Sequence, residues 1–274
     1  MKPLLLIIFL SLVVYAKETL VFGAISTVEA HLMEKKLTPL IKYLEEKTQK
    51  KIIFQTGYNY EDTIHKFSNG SFDIGFIGPS PYIKSKRINP DALSILAELQ
   101  NADNSAFKSH LITKKGSSIH SLKDLKDKSF AFGSPNSTLS YFIPMNILIE
   151  KETLDSLKNY TFLGRHDRVA QYVIMGKYDA GAVKKSVADR YAKYLQNIET
   201  SEVYPEFLMV ANSKLNEQLF KTIKKALLEL KDERVLKSIQ SSAVGFKETK
   251  SSNYVKIEKI MKKVDDYIKK KGES

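Results

Sequence analysis

The sequence predicts an α/β protein of two lobes, each a sheet covered by helices, joined by two crossing strands. Three observations carry this expectation. After residue 16, short β-rich runs alternate with amphipathic stretches along the whole chain, the pattern of neighbouring strands with helices packed over them. One strand leaves the first such unit near residue 110 and another returns near residue 207. No low-complexity tether and no internal repeat separates the units, so strands rather than a flexible linker join them. The boundaries that follow place lobe 1 over 17–110 and 206–274 and lobe 2 over 111–205. At 274 residues, 43% hydrophobic and 27% charged, the chain can bury a sizeable core as one large domain or two ordinary ones.

Residues 1–16 stand apart. Lys2 precedes an almost unbroken apolar run from Leu4 to Tyr15, and Val14-Tyr15-Ala16 ends on a small residue. A secretory signal peptide cleaved before Lys17 is expected. A membrane anchor is the alternative, but the run falls short of the roughly 20 residues a spanning helix needs.

Thr19 to Gly23 reads as the first strand. Met33, Leu37, Leu40, Ile41 and Leu44 then recur at helical spacing, and Thr38-Pro39 is expected to split this stretch in two by offering a cap and a first-turn proline. Lys51 to Thr56 is a second strand, Tyr60 to Ser68 a helix, and Phe72 to Ile77 a third strand stopped by the Gly78-Pro79-Ser80-Pro81 loop. Such short spacing predicts a parallel sheet, which Ala92 to Leu99 continues.

The second unit repeats the logic. Ser109 to Thr113 is a strand and Ser121 to Leu125 a short helix. Phe130 to Phe132 is a strand stopped by Gly133-Ser134-Pro135-Asn136, after which Ser137 and Thr138 open a buried helix running to Glu150. A strand at Tyr160 to Leu163, a helix from His166 to Met175, a strand at Asp179 to Val183 and a helix from Ser186 to Leu195 complete it. The chain returns with a strand at Glu206 to Ala211 and helices over Lys214 to Leu230 and Ser252 to Lys270.

Composition excludes several chemistries. There is no cysteine, hence no disulfide framework, no thiolate nucleophile and no lipid anchor on a cysteine. The five histidines show neither HExxH nor another ligand spacing, so no metal or other cofactor is expected. A net charge of +12 favours anionic ligands, but an exported protein rarely meets nucleic acid. Lys35, Lys36, Lys224, Lys225, Lys262 and Lys263 read as solvated helix faces. Asp73 and Asp179, each just before a buried strand, read as acceptors of turn amides.

Chemistry concentrates at the start of the helix after Phe132. The first N–H groups of a helix lack intrahelical partners and carry partial positive charge, so the Ser137 and Thr138 hydroxyls beside them make an anion cradle. The same residues also describe an ordinary N-cap.

Four segments decide between these readings: TGYNYEDTIHKF (Thr56 to Phe67), DIGFIGPSPYI (Asp73 to Ile83), SLKDLKDKSFAFGSPNSTLSY (Ser121 to Tyr141) and GRHDRVAQYVIMGKYDAGAV (Gly164 to Val183). In their order and spacing the chain resembles the PhnD-type periplasmic phosphate/phosphite/phosphonate-binding proteins of ABC uptake systems, within the type II periplasmic binding fold. The resemblance implies that a small phosphorus oxyanion sits on Ser137 and Thr138, with Ser140 one position further on. It implies that a tyrosine hydroxyl, Tyr60 first and Tyr58 second, reaches the same head group, that His166 lines the cleft, and that Gly78, Pro79 and Ser80 face the ligand from lobe 1. A periplasmic location, a membrane permease as partner and a transport rather than catalytic role follow from it.

Two other readings stay open. A sensor component would present the same closed form to a membrane histidine kinase or chemoreceptor. An enzyme could use the same architecture, although there is no GxSxG elbow or dinucleotide fingerprint, and Ser137 has a base only if His166 approaches it. The resemblance also shows where this chain departs from relatives that take aminoalkylphosphonates. They carry acids after the strand matching Asp179 to Val183 and before the one containing Leu208 to Ala211. Here those regions read Lys184-Lys185-Ser186-Val187 and Tyr204-Pro205-Glu206-Phe207, and a family tyrosine is replaced by Phe107. Phosphate, phosphite or a small alkylphosphonate is therefore expected to bind better than 2-aminoethylphosphonate, unless Glu206 meets the amine.

Overall fold

A computed structural model describes residues 19–25, 29–102 and 107–272. The expected signal segment and its cleavage point before Lys17 lie outside the described residues. The chain runs through β1 (Thr19–Ala24), α1 (Ala30–Thr48), β2 (Lys51–Gln55), α2 (Tyr60–Ser68), β3 (Ile74–Ile77), α3 (Pro79–Ile88) and β4 (Leu93–Asn101). There follow β5 (Ser109–Lys114), β6 (Ser129–Phe132), a π-turn (Thr138–Phe142) that leads into α4 (Ile143–Glu150), β7 (Asn159–Phe162), α5 (His166–Ile174), β8 (Ala180–Lys184), α6 (Lys185–Arg190) and β9 (Leu195–Thr200). The last part holds β10 (Leu208–Asn212), α7 (Glu217–Glu229), α8 (Glu233–Ile239), β11 (Ala243–Lys247) and α9 (Val255–Gly272). Among the described residues no helix is long and apolar enough to cross a membrane.

The strands form two sheets, ordered β11-β4-β10-β3-β1-β2 and β7-β6-β8-β5-β9. The chain passes from the first to the second between β4 and β5 and returns between β9 and β10. Both sheets are mixed, which corrects the expected parallel arrangement. In the first, β1, β2 and β3 are parallel while β10 runs antiparallel to β3 and β4. In the second, β6 is parallel to β7 and β8 while β5 runs antiparallel to β8. The physical reason is the crossing itself. Strands that end at the cleft leave their loops there, and a strand entering from the other sheet must start at that end and run back against them.

Local corrections have similar causes. α1 is one helix with Pro39 inside it. Thr38 does not cap a second helix; its hydroxyl donates to the Glu34 carbonyl at 2.8 Å. An interior proline costs about 3 kcal/mol, but Met33, Leu37, Leu40, Ile41 and Leu44 are all buried against the first sheet, each worth roughly 1.5–3 kcal/mol. Burial outweighs the break. The Gly78-Pro79-Ser80-Pro81 stretch, read as a loop, starts α3 with Pro79 in its first turn, where a missing N–H costs nothing. The helix expected from Ser186 to Leu195 stops at Arg190, and Leu195 instead opens β9 at the edge beside β5.

One apolar core joins the two sheets. It holds Ile64, Phe72 and Tyr82 from the first half, Phe130, Phe142, Met145 and Leu148 from the second, and Tyr254, Ile257, Met261 and Val264 from the C-terminal segment. α9 thus packs on both α3 and α4. Separate cores lie under α1, α7 and α8 on the outer face of the first sheet and under α5 and α6 on that of the second. As read from sequence, Asp73 accepts the Val21 N–H at 2.7 Å and Asp179 accepts the Ser129 N–H at 2.9 Å, which ties each strand start to its neighbour.

Candidate functional site

A tight cavity of about 20 Å³ lies between the sheets, where the carboxyl ends of β3, β6 and β8 meet the two crossings. Its polar lining is Tyr60, Ser137, Thr138, His166 and Lys184. Its apolar lining includes Ile25, Pro81, Leu139, Phe107 and Phe207, the last two in edge contact with ring centroids 5.8 Å apart. Among the described residues no carboxylate lines it.

Local sequence explains the Ser137 corner. β6 is followed by Gly133, where a Cβ would lie 2.2 Å from Ser140 Oγ, so the glycine makes room for the Ser140 side chain. Ser137 is the N-cap, its Oγ accepting the Ser140 N–H at 3.3 Å. The following turn is widened, with the Phe142 N–H bonding to the Ser137 carbonyl at 3.1 Å. A five-residue step leaves one more helix-start N–H without an intrahelical acceptor than an α-turn does.

His166 is the first residue of α5 and is buried. Its Nδ1 accepts the Lys184 N–H at 3.0 Å, and its Nε2 lies 3.4 Å from Ser137 Oγ. A nitrogen that accepts an N–H carries a lone pair, so in the neutral ring the proton sits on Nε2, pointing at Ser137 and the cavity. Burial, aided by the Lys184 charge, pushes the imidazole down to about 3, so it stays neutral. Burial raises the Tyr60 phenol, with the nearby Ser137 side chain opposing, so Tyr60 is a neutral donor as well. Tyr60 is only 8% exposed whereas Tyr58 is 97% exposed. Of the two tyrosines, Tyr60 lines the cavity, and Tyr58 lines an outer cleft beside Arg165 and Arg168.

The structure separates Ser80 and Ser140 from the other four sequence-selected residues. Ser80, fully buried at the start of α3, donates its Oγ to the Asn136 carbonyl at 2.9 Å. Its N–H donates to Thr138 Oγ1 at 2.9 Å, and the two hydroxyl oxygens are 2.8 Å apart. Ser80 therefore clamps the Ser137 corner from across the cleft instead of lining the cavity. Ser140 has its N–H on Ser137, while its Oγ faces Gly133. Lys84 on α3 adds a second clamp by donating to Asn136 Oδ1.

Lys184 was missed as a site residue. It is half-buried, and burial together with the Lys36 charge pushes its ammonium down to about 8. Among the described residues it has no ion pair. The Lys184-Lys185 pair after the strand reads in sequence like any solvated lysine pair. Glu206, the one acid in reach by sequence, turns away. Its carboxylate accepts from Asn101 Nδ2 at 2.6 Å and from the Phe207 N–H at 3.1 Å, and burial pushes it up to about 7. Arg165 is engaged by Asp167 at 3.1 Å and Glu29 at 3.2 Å outside the cavity. Among the described residues no group of three metal-ligating side chains converges.

Comparison with known proteins follows the same lines. A family described as "ABC transporter, phosphonate, periplasmic substrate-binding protein" matches residues 22–254. The chain is 26% identical over 289 residues to a probable ABC transporter phosphite binding protein, PhnD1, of Prochlorococcus marinus, covering 96% of each chain. It is 26% identical over 184 residues to the phosphate-import protein PhnD of Mycolicibacterium smegmatis, covering 63% of this chain and 57% of that one, little more than half its length. The structure of Prochlorococcus marinus PhnD1 in complex with methylphosphonate superimposes with a TM-score of 0.82 at 24% identity, over 90% of this chain and 98% of that one. This likeness gives the type II periplasmic binding fold. With the family match spanning most of its length, the chain belongs to the ABC-transporter phosphonate periplasmic substrate-binding protein family.

Proposed function

We propose that this chain captures a small phosphorus oxyanion, either phosphate, phosphite or an alkylphosphonate, in the cavity at Ser137 and delivers it in the periplasm to the permease of an ABC transporter. The observation that carries this reading is the lining. Ser137, Tyr60 and His166 Nε2 offer proton donors, Thr138 ties the corner to Ser80, Lys184 offers a cation, and among the described residues no acid faces them. Hydroxyls, helix-start amides and one ammonium in a half-dry cavity suit a compact anion. Ser80 and Ser140 act behind this first layer.

Two features weigh against catalysis. His166 presents a proton to Ser137 rather than a lone pair, so it cannot take the Ser137 proton. No carboxylate stands behind it, since Nδ1 is held by a main-chain N–H. The sensor reading gains no specific observation. Lobes comprising residues 17–110 with 206–274, and 111–205, would rotate about the two crossings on binding.

Thermal denaturation of the purified mature protein, with phosphate, phosphite, methylphosphonate, 2-aminoethylphosphonate and sulfate, tests the reading. At least one unsubstituted phosphorus oxyanion is expected to raise the melting temperature, with about 2.7 kcal/mol of stabilisation at one hundred times its dissociation constant. An ammonium placed beside Lys184 finds no acidic partner, so 2-aminoethylphosphonate should bind at least about tenfold more weakly. No shift with any phosphorus compound, or a preference for the aminoethyl compound, overturns it.

A further inference from the structure

We propose that the preferred ligand carries a second anionic group, a carboxylate or second phosphoryl on the phosphonate substituent, held in a basic groove beside the oxyanion cavity. This deepens the phosphorus-oxyanion reading and rests on it. The groove has a volume of about 500 Å³ between α1 and α8 on one side and the end of β8 with α6 on the other. Lys184 lines both the cavity and the groove, so the two spaces share a wall.

The charges in this groove are unbalanced. Lys185 and Lys237 are neutralised locally, by Asp189 at 2.7 Å and Glu233 at 2.5 Å. Lys36 on α1, Lys184 and Arg190 on α6 have no ion pair among the described residues. Lys36 was read from sequence as a solvated helix face; it is instead half-buried, and burial together with the Arg190 charge holds its ammonium below the usual range. Lys184 feels both Lys36 and Arg190 in the same way. Three mutually repelling cations, one from the first half of the fold and two from the second, thus face one space. A single oxyanion seated on Ser137 and His166 reaches Lys184 but leaves Lys36 and Arg190 uncompensated. An anion in the groove offsets all three and draws the two walls together.

Calorimetric titration with methylphosphonate, propylphosphonate, 3-phosphonopropionate and methylenediphosphonate tests this, in the natural chain and in a Lys36→Gln/Arg190→Gln variant whose fold is checked by its melting curve. 3-Phosphonopropionate or methylenediphosphonate is expected to bind at least about tenfold tighter than propylphosphonate, which matches the former in length without the charge. Whichever of the two dianions is tighter identifies the second group as carboxylate or phosphoryl. In the variant the advantage should fall below about threefold while methylphosphonate affinity stays within about twofold. Equal affinity for charged and uncharged substituents, or an advantage that survives the double substitution, overturns the proposal and leaves the oxyanion reading standing. Absence of binding by every phosphonate overturns both.

Discussion

The two walls of the cavity are built differently. The wall from the second sheet holds Ser137, Thr138, His166 and Lys184, and with them nearly every polar contact an anion could use. The wall from the first sheet and the crossings holds Ile25, Pro81, Phe107 and Phe207, with Tyr60 as its one hydroxyl among the described residues. The polar wall is assembled from the ends of β6 and β8 and the start of α5, all within one sheet and its helices. It can therefore hold its geometry whether or not the other wall is near. The apolar wall excludes water, which strengthens every hydrogen bond and charge contact opposite it. Recognition and enclosure are thus divided between the halves, and substitutions on the two walls should differ in size and in kind.

The largest effect belongs to the Ser137 corner. Replacing Ser137 and Thr138 together by Ala removes the Ser137 hydrogen bond to a charged ligand, about 1.5–3 kcal/mol, together with the Thr138 bonds that fix the corner against Ser80, so affinity for phosphite or methylphosphonate should fall by well over tenfold. Ligand-free melting should change far less. Calorimetry that finds unchanged affinity returns both residues to plain caps and removes the asymmetry.

Lys184→Met should come next, at roughly tenfold, because the methionine keeps the stem and removes only a charge beside the anion. This substitution also carries a pH signature. The ammonium is pushed down to about 8 in the ligand-free protein, so affinity should fall as pH rises through that value. A bound anion favours the charged form, so binding at pH 8 to 9 should take up protons, and Lys184→Met should abolish the uptake. For folding the sign is opposite. With the folded value near 8 and the ordinary value at 10.5, the unfolded chain binds more protons in that window, and ligand-free stability should rise with pH there. Proton uptake that persists in the variant would assign it to another group.

How far the site was legible follows from the same division. Ser137, Thr138 and His166 sit at helix starts after short strands, and sequence marks such positions by local signals: a turn, a cap, an apolar run. Lys184 sits at a strand end, with nothing local to distinguish it from a solvated lysine; only the tertiary fold aims it at the cavity. Ser80 bonds to the Ser137 corner through a partner 58 residues away, and no spacing rule reports such a contact. The missed α8 and β11 are a different case. Asp232 caps α8 by accepting the Arg234 N–H at 2.8 Å, a signal present in the sequence but obscured by the short span that follows. Fold class depended on strand and helix alternation, which is local, whereas strand direction depended on the crossings, which is not.

Tyr60→Phe probes the polar exception on the apolar wall. It removes one hydroxyl from a neutral donor and keeps the ring, so affinity should fall by roughly fivefold, in the range of about 0.5–1.5 kcal/mol for a single hydrogen bond. Because Tyr60 and Ser137 line the same cavity and their side chains interact, the effect should be non-additive with Ser137→Ala in a double-mutant cycle. Additive losses would mean that the two hydroxyls act on the ligand independently.

Ser80→Ala should have the smallest effect, and its kind matters more than its size. Ser80 lies on the first-sheet side, yet its Oγ donates to the Asn136 carbonyl and lies 2.8 Å from Thr138 Oγ1. These bonds cross the cleft, so they exist only when the walls meet. Their loss should weaken the closed arrangement by about 1 kcal/mol without touching a ligand contact, which raises the dissociation rate a few-fold and leaves the association rate nearly unchanged. Stopped-flow kinetics with phosphite separates the two rates. Solution scattering should show a smaller contraction on saturation in the variant if saturation is incomplete, and the same contraction once it is complete. A loss as large as that from Ser137→Ala/Thr138→Ala, or one confined to the association rate, would place Ser80 among the recognising groups. The first wall would then recognise the anion as fully as the second, and the division between recognition and enclosure would fail at that residue.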